Sequence, residues 1–266
     1  MHQSIPGLTT EQKAQYWDNG FLRGVDVLTV DQMALARQKL IALEASELAQ
    51  DPEQWARDAY QPWSEKQNPW WHWFRPMCTH PTIIGAVKSL LGPDVLIRNA
   101  DIFIKPANSA VAIGWHVDTA STEKSTDKML TAWFSISDST PDNGCMEWLP
   151  TSHRMVLPEA VKDKESLTFM DEARNRANLS ERAANVVHAG QLSLHHFRTA
   201  HRSGGNCTGT PRIGLVIRFM AADCDPEVAE SGKAFLAAGK ANNTPFSLAP
   251  TFPVHWNRSP FSEITP

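Results

Sequence analysis

Apolar positions change their spacing once along this chain. Near the amino terminus they recur with a helical period: Met33, Ala36, Leu40 and Leu43 share one helix face. Two stretches, Thr9-Thr10-Glu11-Gln12 and Thr29-Val30-Asp31-Gln32, fit the S/T-x-x-E/Q box that closes a helix N-terminus. Gly20 is placed to stop the first helix, and Gly92-Pro93 to stop a third running from Ile83 to Leu91. Beyond residue 93 the apolar residues alternate or form short runs bounded by Gly, Pro, Asn and Asp. Strands are predicted over Asp94–Lys105, Val111–Val117, Met129–Ser137, Cys145–Leu149, Gln191–His196 and Ile213–Met220. Helices first and many short strands after predict a mainly β fold, a sandwich or barrel with helices packed outside. No repeat, low-complexity tract or linker divides the 266 residues, so one domain is expected: a helical part to about residue 93, a barrel over 94–222 and an extension over 223–266.

Two residues of one predicted strand carry possible chemistry. In Gly114-Trp115-His116-Val117-Asp118, His116 and Asp118 are two apart and so share a strand face. Alone the pair is weak, and Asp118 also suits a turn cap. A facial iron triad needs a second histidine from elsewhere, with three positions left open. His201 has the informative surroundings. A strand ending at His196 leads to a short turn containing His201, then to a polar glycine-containing loop and a strand carrying Arg212. An imidazole there can bind metal while the guanidinium grips a carboxylate with two hydrogen bonds. His195 and His196 are rivals for the ligand role, although alternation turns one of them inward and the other away. Arg218 competes with Arg212 and reads as a surface or barrel-end residue.

Composition narrows the partners. A net charge of −4 with no Lys/Arg run gives no electrostatic footprint for nucleic acid. The start lacks a secretory pattern, and the apolar runs are too short to span a bilayer. Four cysteines without a CxxC pair suit a reduced cytoplasm, which is the expected location. Ten Trp against two Tyr is unusual. Four of them lie in WSEKQNPWWHWFRP, which either anchors the amino-terminal segment on the barrel or forms an aromatic pocket wall, with His72 and Arg75 available to an anionic group. The polar stretch Thr119–Lys128 is a lid candidate or a plain solvated connection. The segment Asn242–Trp256 is placed to close the barrel mouth.

Several segments, in order, resemble the phytanoyl-CoA dioxygenase superfamily of Fe(II)/2-oxoglutarate-dependent oxygenases. They are LTTEQKAQYWDNGFL, HPTIIGAVKSLLGPDV, FIKPANSAVAIGWHVD, MLTAWFSISDSTPDNGCMEWLPTSH, AHRSGGN and PRIGLVIRF, spanning residues 8 to 220. The resemblance implies a double-stranded β-helix, the cupin-like jelly-roll barrel. It implies that His116, Asp118 and His201 bind Fe(II). Arg212 would pair with the distal carboxylate of 2-oxoglutarate and Ser203 would bond the same group. Trp133 would lie beside the cosubstrate, and Asn99 would contact it through its amide. Ser203 also suits a plain turn, and Trp133 plain core packing.

The activity implied is hydroxylation of a C–H bond in a small-molecule metabolite, using O2 and releasing succinate and CO2. Halogenating relatives carry Gly or Ala where Asp118 stands, so hydroxylation is the default. The turn reads KPAN rather than a double proline, and Pro150-Thr151-Ser152-His153 replaces a Pro-Gly-Ser-His ending; neither touches a proposed ligand. Desaturation, epoxidation or cyclisation would use the same residues. A non-catalytic barrel that binds metal or a small ligand is the reading from another class, and it gives no reason for Arg212 with Ser203. The absence of a strongly basic patch for coenzyme A favours a small free metabolite.

Overall fold

Alternation along three neighbouring strands sets the architecture. The computed structural model describes residues 7–47, 75–118, 127–155, 182–226, 233–242 and 244–248. Strand β9 (Arg212–Ala221) turns Ile213, Leu215, Ile217 and Phe219 to one side and Arg212, Val216 and Arg218 to the other. On β4 (Met129–Ser135), Leu130, Ala132 and Phe134 oppose Thr131 and Trp133. On β7 (Gln191–His196), Leu192 and Leu194 oppose His195. The aliphatic sides join one core that also takes Ile83, Ile84 and Val87 from a helix. Each such fully buried side chain contributes about 1.5–3 kcal/mol of transfer free energy. The polar sides line the barrel interior, so one period-two pattern builds the core and the site at once.

The helices begin where the capping residues stand. Thr9 exchanges both capping-box bonds with Gln12 and opens α1 (Thr10–Asn19), which Gly20 ends at φ 86°. Thr29 and Gln32 make the same two bonds at the start of α2 (Val30–Glu47), which buries Met33 and Ala36. His80 caps α3 (Pro81–Leu91), its Nδ1 accepting from the Thr82 backbone N–H, and Gly92 follows the last turn.

The strands form two sheets. The seven-stranded sheet runs β1 (Phe21–Asp26), β7, β4, β9, β2 (Val95–Lys105), β10 (Lys233–Ala238), β11 (Ser247–Leu248). The four-stranded sheet runs β3 (Ile113–His116), β8 (His201–Ser203), β5 (Met146–Trp148), β6 (Ala183–Ala184). Most neighbouring strands are antiparallel, the parallel pair being β10 and β11. Phe21, Trp133, Met146, Trp148 and Val216 fill the space between the sheets. The result is the jelly-roll barrel, with helices packed on the outer face of the large sheet.

The predicted turn at His201 is the strand β8, three residues long and bonded on both sides, to β3 and to β5. Its order comes from two partner strands rather than from an apolar pattern of its own. Strand β1, unpredicted, pairs with β7 through an irregular register around Leu22 and Val25, which breaks its alternation. Strands β1 and β10 bring chain from outside 94–222 into the large sheet. The aromatic segment from Trp63 with His72, the polar stretch after Asp118 up to residue 126, and the tail from 249 with His255 lie outside the described residues. No helix among the described residues is long and apolar enough to cross a membrane.

Candidate metal and cosubstrate site

Strands β3 and β8 bring two histidines together. His116 lies opposite His201 in the ladder, and their ring centres are 4.1 Å apart. Each Nδ1 donates to a backbone carbonyl two residues earlier, His116 to Gly114 and His201 to Thr199, both at 2.9 Å. That fixes both tautomers and leaves both Nε2 lone pairs open. Asp118 follows β3, its backbone N–H donating to the Phe197 carbonyl. One ligand atom from each of His116, Asp118 and His201 falls within 4.8 Å of the other two. Two imidazole nitrogens and a carboxylate oxygen suit a divalent first-row metal with open positions.

The electrostatics agree with a metal-binding triad. The Asp118 side chain is 6% exposed, and burial alone would raise its pKa. The hydrogen bond from His195 and then the nearby Arg218 charge work against burial, and the carboxyl is held well below its usual range. His201 is pushed well below the usual histidine range, first by burial and then by His116 and His195. An ionised carboxylate beside a neutral imidazole is the state that metal binding requires.

A second centre lies across the same cavity, on the large sheet. Arg212 is 2% exposed, and burial lowers its pKa to about 10. Its guanidinium carbon sits 4.8 Å from the Trp133 ring centre and 5.8 Å from that of Phe103. No carboxylate among the described residues pairs with it, and its Nε and the Trp133 indole N–H meet no acceptor. A buried, unpaired guanidinium is costly, and an incoming carboxylate would supply the missing acceptor. Ser203 shares a strand face with His201. Lys105, directly opposite Arg212 in the β2–β9 ladder, donates to Ser203 Oγ at 3.0 Å and to the Val111 and Gly204 carbonyls. Burial and the nearby Arg212 charge bring the Lys105 pKa down to about 8. With its oxygen already accepting from Lys105, the Ser203 hydroxyl hydrogen is available to a bound anion.

Six of the seven residues singled out in the sequence line one cavity of about 90 Å³: His116, Asp118, Trp133, His201, Ser203 and Arg212. Asn99 is not among its lining residues. It lies six residues before Lys105 on β2, about 20 Å along an extended strand, and donates to Asp101 Oδ2. Arg218, read as a surface or barrel-end residue, instead lines the cavity and pairs with Asp101 at 2.9 Å. Phe103 and Thr131 also line it and were not singled out as site residues, and His195, the rival for the ligand role, lines it beside His201. The alternation rule could have found Thr131, since it shares the β4 face of Trp133.

The family model described as phytanoyl-CoA dioxygenase (PhyH) matches residues 16–214. The chain belongs to this family. A probable alpha-ketoglutarate-dependent hypophosphite dioxygenase from Stutzerimonas stutzeri is 27% identical over 232 residues, 81% of this chain and 80% of that relative. The solved non-heme monooxygenase ThoJ, in its apo form, superposes with a TM-score of 0.67 at 27% identity, covering 89% of this chain and 86% of that one. EctD from S. alaskensis, solved with bound Fe, shares the fold at a TM-score of 0.63 and 20% identity, over 84% of this chain and 79% of its own. The chain is a member of the Fe(II)- and 2-oxoglutarate-dependent dioxygenases. The residues fit both groups: three convergent ligand atoms for iron, and a buried guanidinium that pairs with no carboxylate among the described residues for 2-oxoglutarate.

Proposed function

We propose that this dioxygenase hydroxylates a C–H bond of a small-molecule metabolite, with His116, Asp118 and His201 holding the iron and Arg212 anchoring 2-oxoglutarate. The observation that carries the reading is the pairing of two features in one cavity. The triad is at one wall with Ser203 two residues from His201 on β8, and Arg212, whose Nε meets no acceptor among the described residues, lines the same cavity from the large sheet. A barrel that only bound metal would have no use for the second feature. When bound, iron and 2-oxoglutarate supply the oxidising power, with O2 consumed, succinate and CO2 released and one oxygen atom delivered to the substrate.

The residues' own contributions follow from position. His116 and His201 present Nε2 in fixed tautomers, and Asp118 contributes the negative charge. Arg212 orients the cosubstrate by a two-point grip on its distal carboxylate, assisted by the Ser203 hydroxyl, while Trp133 shields that grip from water. Phe103, Ile113, Met146 and Val216 give the cavity an apolar lining that suits the carbon framework of a substrate and excludes water from the reacting bond. The dioxygenase relative named for hypophosphite supports a substrate of small-molecule size.

The test is an anaerobic titration of metal-free protein with Fe(II) and then 2-oxoglutarate, following the weak visible charge-transfer band of a chelated keto acid. The band is expected in the wild type. Arg212→Ala is expected to need about 100-fold more 2-oxoglutarate, the scale for removing one partner of a buried charge pair. Asp118→Ala is expected to lose metal. No band in the wild type, with iron failing to bind, would replace the oxygenase reading with that of a non-catalytic barrel. Screening metabolites for coupled succinate formation, with the product analysed for a new hydroxyl, then tests the reaction type.

A further inference from the structure

The carboxylate of Asp118 is held from behind by two donors on neighbouring strands. Thr131 Oγ1 donates to Asp118 Oδ2 at 2.6 Å, and His195 Nε2 donates to the same oxygen at 3.1 Å. Thr131 on β4 and His195 on β7 are direct partners in the antiparallel ladder, so the sheet sets their separation. Both are buried, at 2% and 1% exposure. Both hydrogen bonds end on Oδ2 and neither on Oδ1. The charged neighbour of Oδ1 is Arg218, with Nη2 at 3.8 Å. The two side chains therefore treat the two oxygens of one carboxylate differently.

We propose that Thr131 and His195 are positioning residues that reserve Oδ2, so that Asp118 offers a metal one oxygen, Oδ1, and binds it as a single-point ligand. An oxygen already accepting two hydrogen bonds is a poorer metal donor and cannot rotate toward the ion without breaking them. A carboxylate bound through both oxygens would fill one more coordination position, and the site needs three open for the keto acid and O2. The clamp also removes the rotational freedom of Asp118 before metal arrives, which raises affinity. His195 donates through Nε2, and its Nδ1 meets no partner among the described residues, so its one side-chain hydrogen bond there is to Asp118, while its ring packs 4.7 Å from that of His201. This inference rests on the metal-site reading proposed above.

The experiment is an anaerobic Co(II) titration of the metal-free full chain, read by the visible Co(II) bands and by calorimetry, with Thr131→Val, His195→Leu, Thr131→Ser and His195→Gln. Thermal melting of each metal-free variant reports the fold separately. Thr131→Val and His195→Leu are expected to weaken Co(II) binding roughly 10- to 100-fold, the range for lost partners of metal ligands. Their Co(II) bands are expected to shift as the coordination number changes. Thr131→Ser and His195→Gln keep a donor and are expected to recover both affinity and spectrum. The clamp is overturned if Thr131→Val and His195→Leu bind Co(II) with wild-type affinity and spectrum. It is equally overturned if the donor-keeping variants are as weak as the donor-less ones, since loss of packing would then be the cause. A wild type that does not bind Co(II) at all would overturn the metal site itself, which the variant comparison alone would not.

Discussion

At the scale of single residues, the site depends on a glycine as much as on its charged groups. A Cβ placed on Gly214 would lie 2.1 Å from the Trp133 ring, so the indole occupies the space that any other residue would fill. The same indole stacks on Arg212, two residues away on β9. Gly214→Ala is expected to destabilise the fold by about 1–3 kcal/mol, the usual cost of overpacking. It is also expected to weaken 2-oxoglutarate binding, because the displaced ring must move off the guanidinium. Denaturant unfolding and the cosubstrate titration measure the two effects, and a variant with wild-type values for both would show that the ring can move freely. His116, Asp118, His201 and Arg212 stood out in the sequence by type and spacing, and Ser203 and Trp133 only through the family resemblance; all six line the cavity. Thr131 and Lys105 did not stand out. A threonine or lysine on a strand is commonplace, and its meaning depends on which residue the ladder sets opposite: His195 for one, Arg212 for the other.

Elements show where local chemistry is sufficient and where it is not. The helices α1, α2 and α3 start at caps that the sequence displays or, at His80, conceals. The His80 cap has a consequence for pH. Burial lowers its pKa from 6.5 to about 4, so the folded protein keeps it neutral while the unfolded chain protonates near 6.5. Between those values the unfolded state binds more protons, so stability rises with pH across the interval and is lost as pH falls through it. The shift corresponds to about 3 kcal/mol. Burial, outweighing its bond to Asp127, does the same to His196. Urea unfolding at pH 7 and pH 4.5 is expected to show the loss. His80→Asn keeps a capping acceptor without the titration, and is expected to narrow the gap between the two pH values without closing it, since His196 and His201 still contribute. An unchanged gap would remove His80 from the account. Strands were legible where apolar runs stood between Gly, Pro, Asn or Asp, as at β2, β3, β4, β5, β7 and β9. The short β8 was not, since two neighbours impose its conformation.

For the whole molecule, the cavity joins parts of the fold that are far apart in sequence. His116 and His201 stand on the small sheet, while Trp133 and Arg212 stand on the large one. A metal on the first pair and a carboxylate on the second would tie the two sheets together, and only the folded chain assembles either site. Any ligand specific to the folded state stabilises it by mass action, by about 2.7 kcal/mol at a concentration 100 times its Kd. For a chain of this size that corresponds to a rise in Tm of roughly 5–10 °C. Co(II) under nitrogen is therefore expected to raise the Tm, and 2-oxoglutarate to raise it further only when the metal is present, because its keto-acid end needs the ion. Arg212→Ala is expected to keep the metal increment and lose most of the second one at the same 2-oxoglutarate concentration. Asp118→Ala is expected to lose both, and EDTA to reverse both in the wild type. If 2-oxoglutarate raised the Tm equally with and without metal, the two sites would be independent, and the cavity would not be holding one chelated cosubstrate between its sheets.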